Sequence, residues 1–166
     1  MAIAFYVRLG YQLALPKLLG SVSKKVGDKA VRIPFSCWIS DTAESRFHHM
    51  NNVKFLQIAD IARFRMLQEG GILHMNNDTM TAMIAEQKAE YFKMVKMFQK
   101  FDVVTTLSTQ DDKWILFNHS FDAVINNEPV TFTRVQVKSV LKASNGKTIR
   151  PSEICIHSSY FKDLLT

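Results

Sequence analysis

The chain has 166 residues, of which 47% are hydrophobic and 22% charged. This composition fits one globular domain with a sizeable core, and it excludes a disordered chain. The formal net charge is +6, but residues 1–27 hold Arg8, Lys17, Lys24 and Lys25 and no acid, so the remainder is close to neutral. A near-neutral body without a basic–aromatic recognition motif or a zinc-finger spacing argues against a nucleic-acid binder.

Residues 1–20, MAIAFYVRLGYQLALPKLLG, are apolar but interrupted by Arg8, Gln12 and Lys17. A membrane-spanning helix needs ~20 mostly apolar residues without a central charge, so this stretch does not qualify. It fits an interfacial amphipathic helix in peripheral contact with a membrane. Two other readings stay open: a basic, acid-free mitochondrial-type targeting segment, and a helix packed on the domain or on a dimer partner. Residues 1–29 therefore form an amphipathic or targeting segment with a polar connector, and residues 30–166 form one domain. Cys37 and Cys155 are the only cysteines. Two thiols make neither a disulfide framework nor a metal spacing, so an intracellular protein, cytoplasmic or membrane-peripheral, with no metal site is expected.

Val31 to Ser40, VRIPFSCWIS, reads as the first strand, with Pro34 at an edge or near the strand start. A loop carrying Asp41, Glu44, His48 and His49 follows. Asn52 to about Glu69 then reads as one long helix. Its apolar residues cover most of the circumference and leave Lys54, Gln57, Asp60, Arg63, Arg65 and Gln68 as the polar positions, so it is buried on most sides. Asn51-Asn52 is the start signal, with Asn52 as the cap. Gly70-Gly71 is the stop. After a loop at Ile72 to Asp78, strands are expected at Thr79 to about Met97, Phe101 to Thr109, Lys113 to Ile125 and Val130 to Ala143. A short strand at Ile154 to His157 and a final helical turn complete the chain. One long apolar helix followed by an antiparallel meander is an α+β pattern.

The segment HMNNVKFLQIADIARFRML resembles the H-(M/V)-N-N-x-(R/K)-(Y/F)-L…(E/D)-x-A-R block of hotdog-fold acyl thioesterases, most closely the thioesterase-like (THEM-type) subgroup. The matching residues are Asp41, His49, Asn51, Asn52, Lys54, Phe55, Leu56, Asp60, Ala62 and Arg63. The group is related to 4-hydroxybenzoyl-CoA and acyl-carrier-protein thioesterases, and the plant members of the latter share the His-x-Asn-Asn-Val-Lys start. The resemblance implies a hotdog fold, in which an antiparallel sheet of five to six strands wraps around one long central helix. It also implies a homodimer or higher homo-oligomer with sites at the subunit interface, and it places a strand at Thr79 to Met97, where periodicity alone fits helix or strand.

Hydrolysis of an acyl thioester needs a group that activates water or attacks the carbonyl, a donor set for the oxyanion, and a groove for the acyl chain. Asp41 is the first candidate for base or nucleophile and Glu44 its substitute. His49 is the base or orienting histidine, and Asn51 positions water or the carbonyl. The main-chain N–H groups of Asn52 and Val53 are the candidate oxyanion donors, since a helix N-terminus presents unpaired N–H groups and a positive partial charge. Glu90, Lys93 and Lys96 are candidate substrate-binding residues, the lysines suiting the phosphates of coenzyme A. No cofactor is expected beyond coenzyme A as part of the substrate. The chain departs from the family pattern in several respects: the loop between Asp41 and His49 is longer, Phe47 stands where plant acyl-carrier-protein thioesterases carry Asn, and Met94 stands where they carry a second Glu. Related sequences carry Asp-x-Asp before the histidine, and Ser45 stands at the second aspartate's place. An acyl-CoA thioesterase is the leading expectation. The alternative is an inactive hotdog module that binds acyl-CoA, lipid or a protein partner at a membrane surface.

Overall fold

The computed structural model describes residues 3, 6–11, 14, 24–25, 30–42 and 48–165. Seven strands form one antiparallel sheet: β1 (Lys24–Lys25), β2 (Ala30–Ser36), β3 (Thr81–Tyr91), β4 (Lys100–Gln110), β5 (Trp114–Ile125), β6 (Glu128–Lys142) and β7 (Thr148–Ile149). The order is β1-β2-β4-β5-β6-β3, with β7 paired to β6. Helix α1 (Asn52–Glu69) lies in the middle, and two short helices, α2 (Pro151–His157) and α3 (Ser159–Leu165), close the far end. This is the expected α+β hotdog arrangement.

The core forms where α1 meets the sheet. Phe55 on the first turn packs edge-on against Phe121 at 5.2 Å and Tyr91 at 5.7 Å, and Phe101 continues the aromatic layer to Phe35. The helix is buried even at polar positions, since Lys54, Arg63 and Arg65 are all interior. Local partners meet them in part: Arg63 donates to Asp60 and Arg65 to Glu69, both at 3.0 Å, while Arg63 Nε has no hydrogen-bond partner among the described residues. At the C-terminal end Ser158 Oγ donates to the Gly70 carbonyl, and a Cβ at Gly70 would collide with the Phe161 ring. Gly71, at φ +70°, supplies the left-handed turn.

Several boundaries shift. The first strand ends at Ser36, and Ile39–Asp41 is a short 3-10 turn. Pro34 sits past Arg32, where β1 pairing stops, so its missing N–H falls on the open edge of β2. Ile154 to His157, expected as a strand, is the second half of α2. Pro151 occupies the first helical turn, where its fixed φ is favourable and no N–H is needed. Strand β3 carries a register shift between Ile84 and Glu86. Ala82 and Ile84 pair with the core-facing β6 positions Leu141 and Ser139, whereas beyond the shift Gln87, Ala89 and Tyr91 do so opposite Val137, Val135 and Thr133.

Candidate active site

The loop before α1 is built from main-chain ties. Segment 48–50 pairs with 95–97: Met50 N donates to Val95 O at 2.8 Å, Met97 N to His48 O at 3.0 Å, and His49 bridges Lys96. Cys37 N and O close the other side of that turn, through Gln99 O and Phe98 N. The chain thus passes from β2 to the helix start through a backbone lattice, which fixes where the helix begins.

Asn51, not Asn52, is the cap. Its extended backbone leaves the side-chain oxygen to accept from Val53 N at 3.0 Å. That bond commits the Val53 N–H, so of the two expected oxyanion donors only Asn52 N–H has no acceptor among the described residues. Asn52 and Val53 are both exposed. Tyr91, at the end of β3, reaches over this point, with its hydroxyl donating to the Asn52 carbonyl at 3.3 Å. Burial raises the Tyr91 hydroxyl above its ordinary pKa. His49 is half-buried beside the cap, and its Nδ1 lies 3.2 Å from Met50 O. A carbonyl only accepts, so Nδ1 carries the proton in this bond and Nε2 is the basic nitrogen.

Asp41 does not face this point. Its carboxylate is 3% exposed, and Oδ2 accepts from Arg8 Nη2 at 2.7 Å and from Trp38 N at 2.8 Å. Arg8 also donates to Ser36 O at 2.9 Å, and its guanidinium sits 4.1 Å from the Trp38 ring centre. The expected base is therefore an anchor in this conformation, because a carboxylate held by an arginine and a main-chain N–H in the interior has no access to a water on the substrate side. Asp41 still serves the site through its backbone, since its carbonyl accepts from Asn51 N at 2.9 Å. Cys37, next to this pair, is pushed up to about 11 by burial and by the Asp41 charge, so it stays a thiol. Glu44 lies outside the described residues.

The substrate-binding expectations divide. Lys96 is exposed at the site's rim, paired with His49. Lys93 is exposed on the turn after β3. Glu90 is separated from them. Side chains alternate along a strand, and Tyr91 faces the helix, so Glu90 points to the outer face. There it lines a groove of about 360 Å³ with Lys88, Asn118, Ser120, Arg134 and Gln136. Sequence reasoning passed over Arg8 and Tyr91. Arg8 counted only as part of a basic segment, and Tyr91 only as part of a pattern. An aromatic hydroxyl at the end of the strand that covers the helix start was the available signal for Tyr91. Val53 on the first turn of α1, Tyr91 at the end of β3, and Phe92, Met94 and Phe98 in the segment after it are exposed apolar side chains. Among the described residues no group of three or more His, Cys, Asp or Glu could hold a metal ion, and no helix is long and apolar enough to cross a membrane.

A second buried polar group lies between helix and sheet. His119 Nδ1 is 2.8 Å from Thr105 Oγ1, and its Nε2 has no partner among the described residues. Burial, with the nearby Arg63 charge, holds His119 down at about 3, so it is neutral and does no acid–base work near pH 7. Asp60 Oδ1 accepts from Arg63 and, at 3.3 Å, from Gln87 on β3. Its carboxyl is nonetheless raised above the ordinary value, chiefly by burial.

The model of the thioesterase-like superfamily matches residues 37–152. Solved structures share the fold at low identity. A 4-hydroxybenzoyl-CoA thioesterase variant complexed with 4-hydroxybenzoyl-CoA matches at TM-score 0.66 and 10% identity, covering 82% of this chain and 99% of that one. A 1,4-dihydroxy-2-naphthoyl-CoA thioesterase from Synechocystis matches at TM-score 0.60 and 12% identity, covering 76% and 96%. A probable thioesterase from Bartonella henselae matches at TM-score 0.59 and 12% identity, covering 72% and 96%.

Proposed function

This chain belongs to the thioesterase-like superfamily, which sets thioester hydrolysis as its class of chemistry, and we propose that it hydrolyses acyl-CoA at the N-terminus of α1. The observation that carries this reading is the Asn52 N–H, exposed at the start of a buried helix, with no acceptor among the described residues and with His49 beside it. The thioester carbonyl oxygen accepts from Asn52 N–H, where the helix dipole favours the developing negative charge. Water, deprotonated by His49 Nε2, attacks the carbonyl carbon. The C–O bond forms, the C–S bond breaks, and the proton returns to the departing thiolate. Val53, Tyr91, Phe92, Met94 and Phe98 offer the acyl chain an apolar rim, and Lys96 offers the coenzyme A phosphates a charge.

The same reading includes a homodimer. Strand β3 is an edge strand of 11 residues that exposes Met83 and Ile84. A long unpaired edge is a template for pairing with a second copy. Light scattering on the purified chain checks it, and a monomer at micromolar concentration would rule it out. Contact with an anionic membrane is proposed on the helical residues 6–11, where Tyr6, Val7 and Tyr11 are exposed while Arg8 points inward. Co-sedimentation with phosphatidylserine vesicles reads this directly, and no more pelleting with them than with neutral vesicles removes it.

The decisive experiment is thiol release from short-, medium- and long-chain acyl-CoAs, with His49→Ala and Asn51→Ala alongside. Loss of a general base costs roughly 10²–10⁴-fold in kcat. His49→Ala turning over like the parent would remove His49 from the mechanism. One observation favours a second reading, an acyl-CoA-binding module without turnover: the Asp41 carboxylate is occupied by Arg8. Acyl-CoA binding by a folded protein that releases no thiol from any substrate would place that reading first.

A further inference from the structure

The N-terminal segment lies outside the span the family model covers, yet Arg8 is one of the most thoroughly buried charges in the molecule. It holds three groups at once. Its Nη2 donates to Asp41 Oδ2 at 2.7 Å and to Ser36 O at 2.9 Å, and its guanidinium plane lies 4.1 Å from the Trp38 ring centre. The side chains of Arg8 and Asp41 are 5% and 4% exposed. Each of these contacts touches the stretch that leads from β2 to the site.

From Asp41 the chain of contacts runs to the helix start. The Asp41 side chain accepts from Trp38 N, its main-chain N donates to Trp38 O, and its carbonyl accepts from Asn51 N at 2.9 Å. Asn51 in turn caps α1 through Val53 N and leaves Asn52 N–H open. Asp41 therefore joins the buried ion pair directly to the cap, and all the links are short hydrogen bonds.

We infer that Arg8 is a positioning residue of the active site: by neutralising and clamping Asp41 it fixes the helix N-terminus, so that residues 6–11 are part of the site's scaffold. The functional half of this inference rests on the hydrolase reading above. The physical half does not. A carboxylate buried this deeply persists only with its counter-charge. Without Arg8, Asp41 either draws in water or swings toward solvent, and each alternative moves the carbonyl that holds Asn51. A lysine restores charge but not geometry, because a single ammonium cannot serve Asp41 and Ser36 while also lying over the Trp38 ring.

The test uses the full chain with Arg8→Ala, Arg8→Lys and the double variant Arg8→Ala/Asp41→Asn, beside Arg32→Ala as a control. Arg32 makes a surface pair with Asp102 at 3.1 Å, away from the site. Two readouts are taken: amide hydrogen exchange at Asn51, Val53 and Lys54, and kcat and KM for an acyl-CoA that the parent hydrolyses. Arg8→Ala is expected to speed exchange at these three amides at least tenfold while β5 and β6 stay protected. It is also expected to lower kcat at least tenfold with KM within about twofold. Arg8→Lys should fall between it and the parent. The double variant, which removes the stranded charge, should recover protection relative to Arg8→Ala. Arg32→Ala should match the parent in both readouts.

Unchanged exchange at the three amides in a folded Arg8→Ala protein overturns the inference, whatever the activity does. If Arg8→Ala does not fold, Arg8→Lys decides: parent-like exchange and kcat overturn the inference, and local loss of protection supports it. If the parent itself releases no thiol, the hydrolase reading fails on its own, and exchange alone still judges whether Arg8 holds the helix start.

Discussion

Two aspartate–arginine pairs flank the first half of the central helix, and they differ in kind despite similar distances. Asp41 and Arg8 meet at 2.7 Å with both side chains almost wholly buried. Asp60 and Arg63 meet at 3.0 Å, but Asp60 keeps 28% of its side chain exposed. Asp41 also takes a main-chain N–H and gives its own carbonyl to the helix cap. Asp60 adds only the long bond from Gln87. The first pair therefore fixes backbone and the second only fixes side chains. The separation of the charges does not reveal this, whereas the other commitments of each oxygen do.

Breaking one partner of each pair exposes the contrast. Asp41→Asn keeps the shape but strands the Arg8 charge in the interior, and we expect a loss of about 3–5 kcal/mol, read by urea unfolding at pH 7. Coupling should be strong: the double variant Arg8→Ala/Asp41→Asn is expected to lose much less than the sum of the two single variants. A sum that simply adds would mean the two side chains do not depend on each other.

Acid sharpens the comparison from the other side of the helix. His119 is held neutral in the fold at about 3, whereas its unfolded value is 6.5. The unfolded chain therefore binds the extra proton first, so this contribution to stability is intact above about 6.5 and is lost as pH falls toward 3. The slope approaches 1.4 kcal/mol per pH unit within that window. Unfolding at pH 7 and pH 5 should differ by about 2 kcal/mol from this group, and His119→Gln should flatten the difference. An unchanged pH dependence in that variant would assign the acid sensitivity elsewhere.

The smallest effect is expected at Asp60. Burial already disfavours its charged form, so Asp60→Asn relieves that penalty while weakening the hold on Arg63. A net loss smaller than that of Asp41→Asn is expected, because the amide oxygen still accepts from Arg63 and Asp60 is partly solvated, again by urea unfolding. A loss as large as that of Asp41→Asn would erase the distinction drawn above.

Much of the fold was legible because the signals were local. Helix α1 combines an apolar pattern on most sides with Asn51 before it and the glycine pair after it. Strands β4 to β6 carry period-2 alternation and turn residues at Asp111-Asp112 and Asn126-Asn127, all four at positive φ. What escaped depended on distance or on context. Arg8 and Asp41 are 33 positions apart, and nothing around Arg8 shows that this charge in an apolar stretch turns inward. Lys54, Arg63 and Arg65 read simply as polar positions, and periodicity cannot tell that all three are buried beside Gln57, Asp60 and Glu69. Ile154 to His157 looked like a strand because a short apolar–polar run fits either period, and Pro151 decided it. The family block located the loop, but it could not show that the Asp41 carboxylate is held by Arg8 and the Trp38 N–H.

The register shift in β3 acts on the pattern of that strand as a frameshift acts on codons. Upstream of it the even-numbered side chains read as interior, and downstream the odd-numbered ones do. Deleting Ala85, the residue without a partner across the ladder, would close the shift and leave every paired side chain on its present face. Deleting a paired residue such as Gln87 would instead turn the strand beyond it inside out, offering Lys88 and Glu90 to the helix and Tyr91 to the outer groove. Within β3 a single-residue deletion is therefore mild at the shift and disruptive elsewhere, and an alignment that slides by one position across Ala85 exchanges the lining of the site for its outer wall.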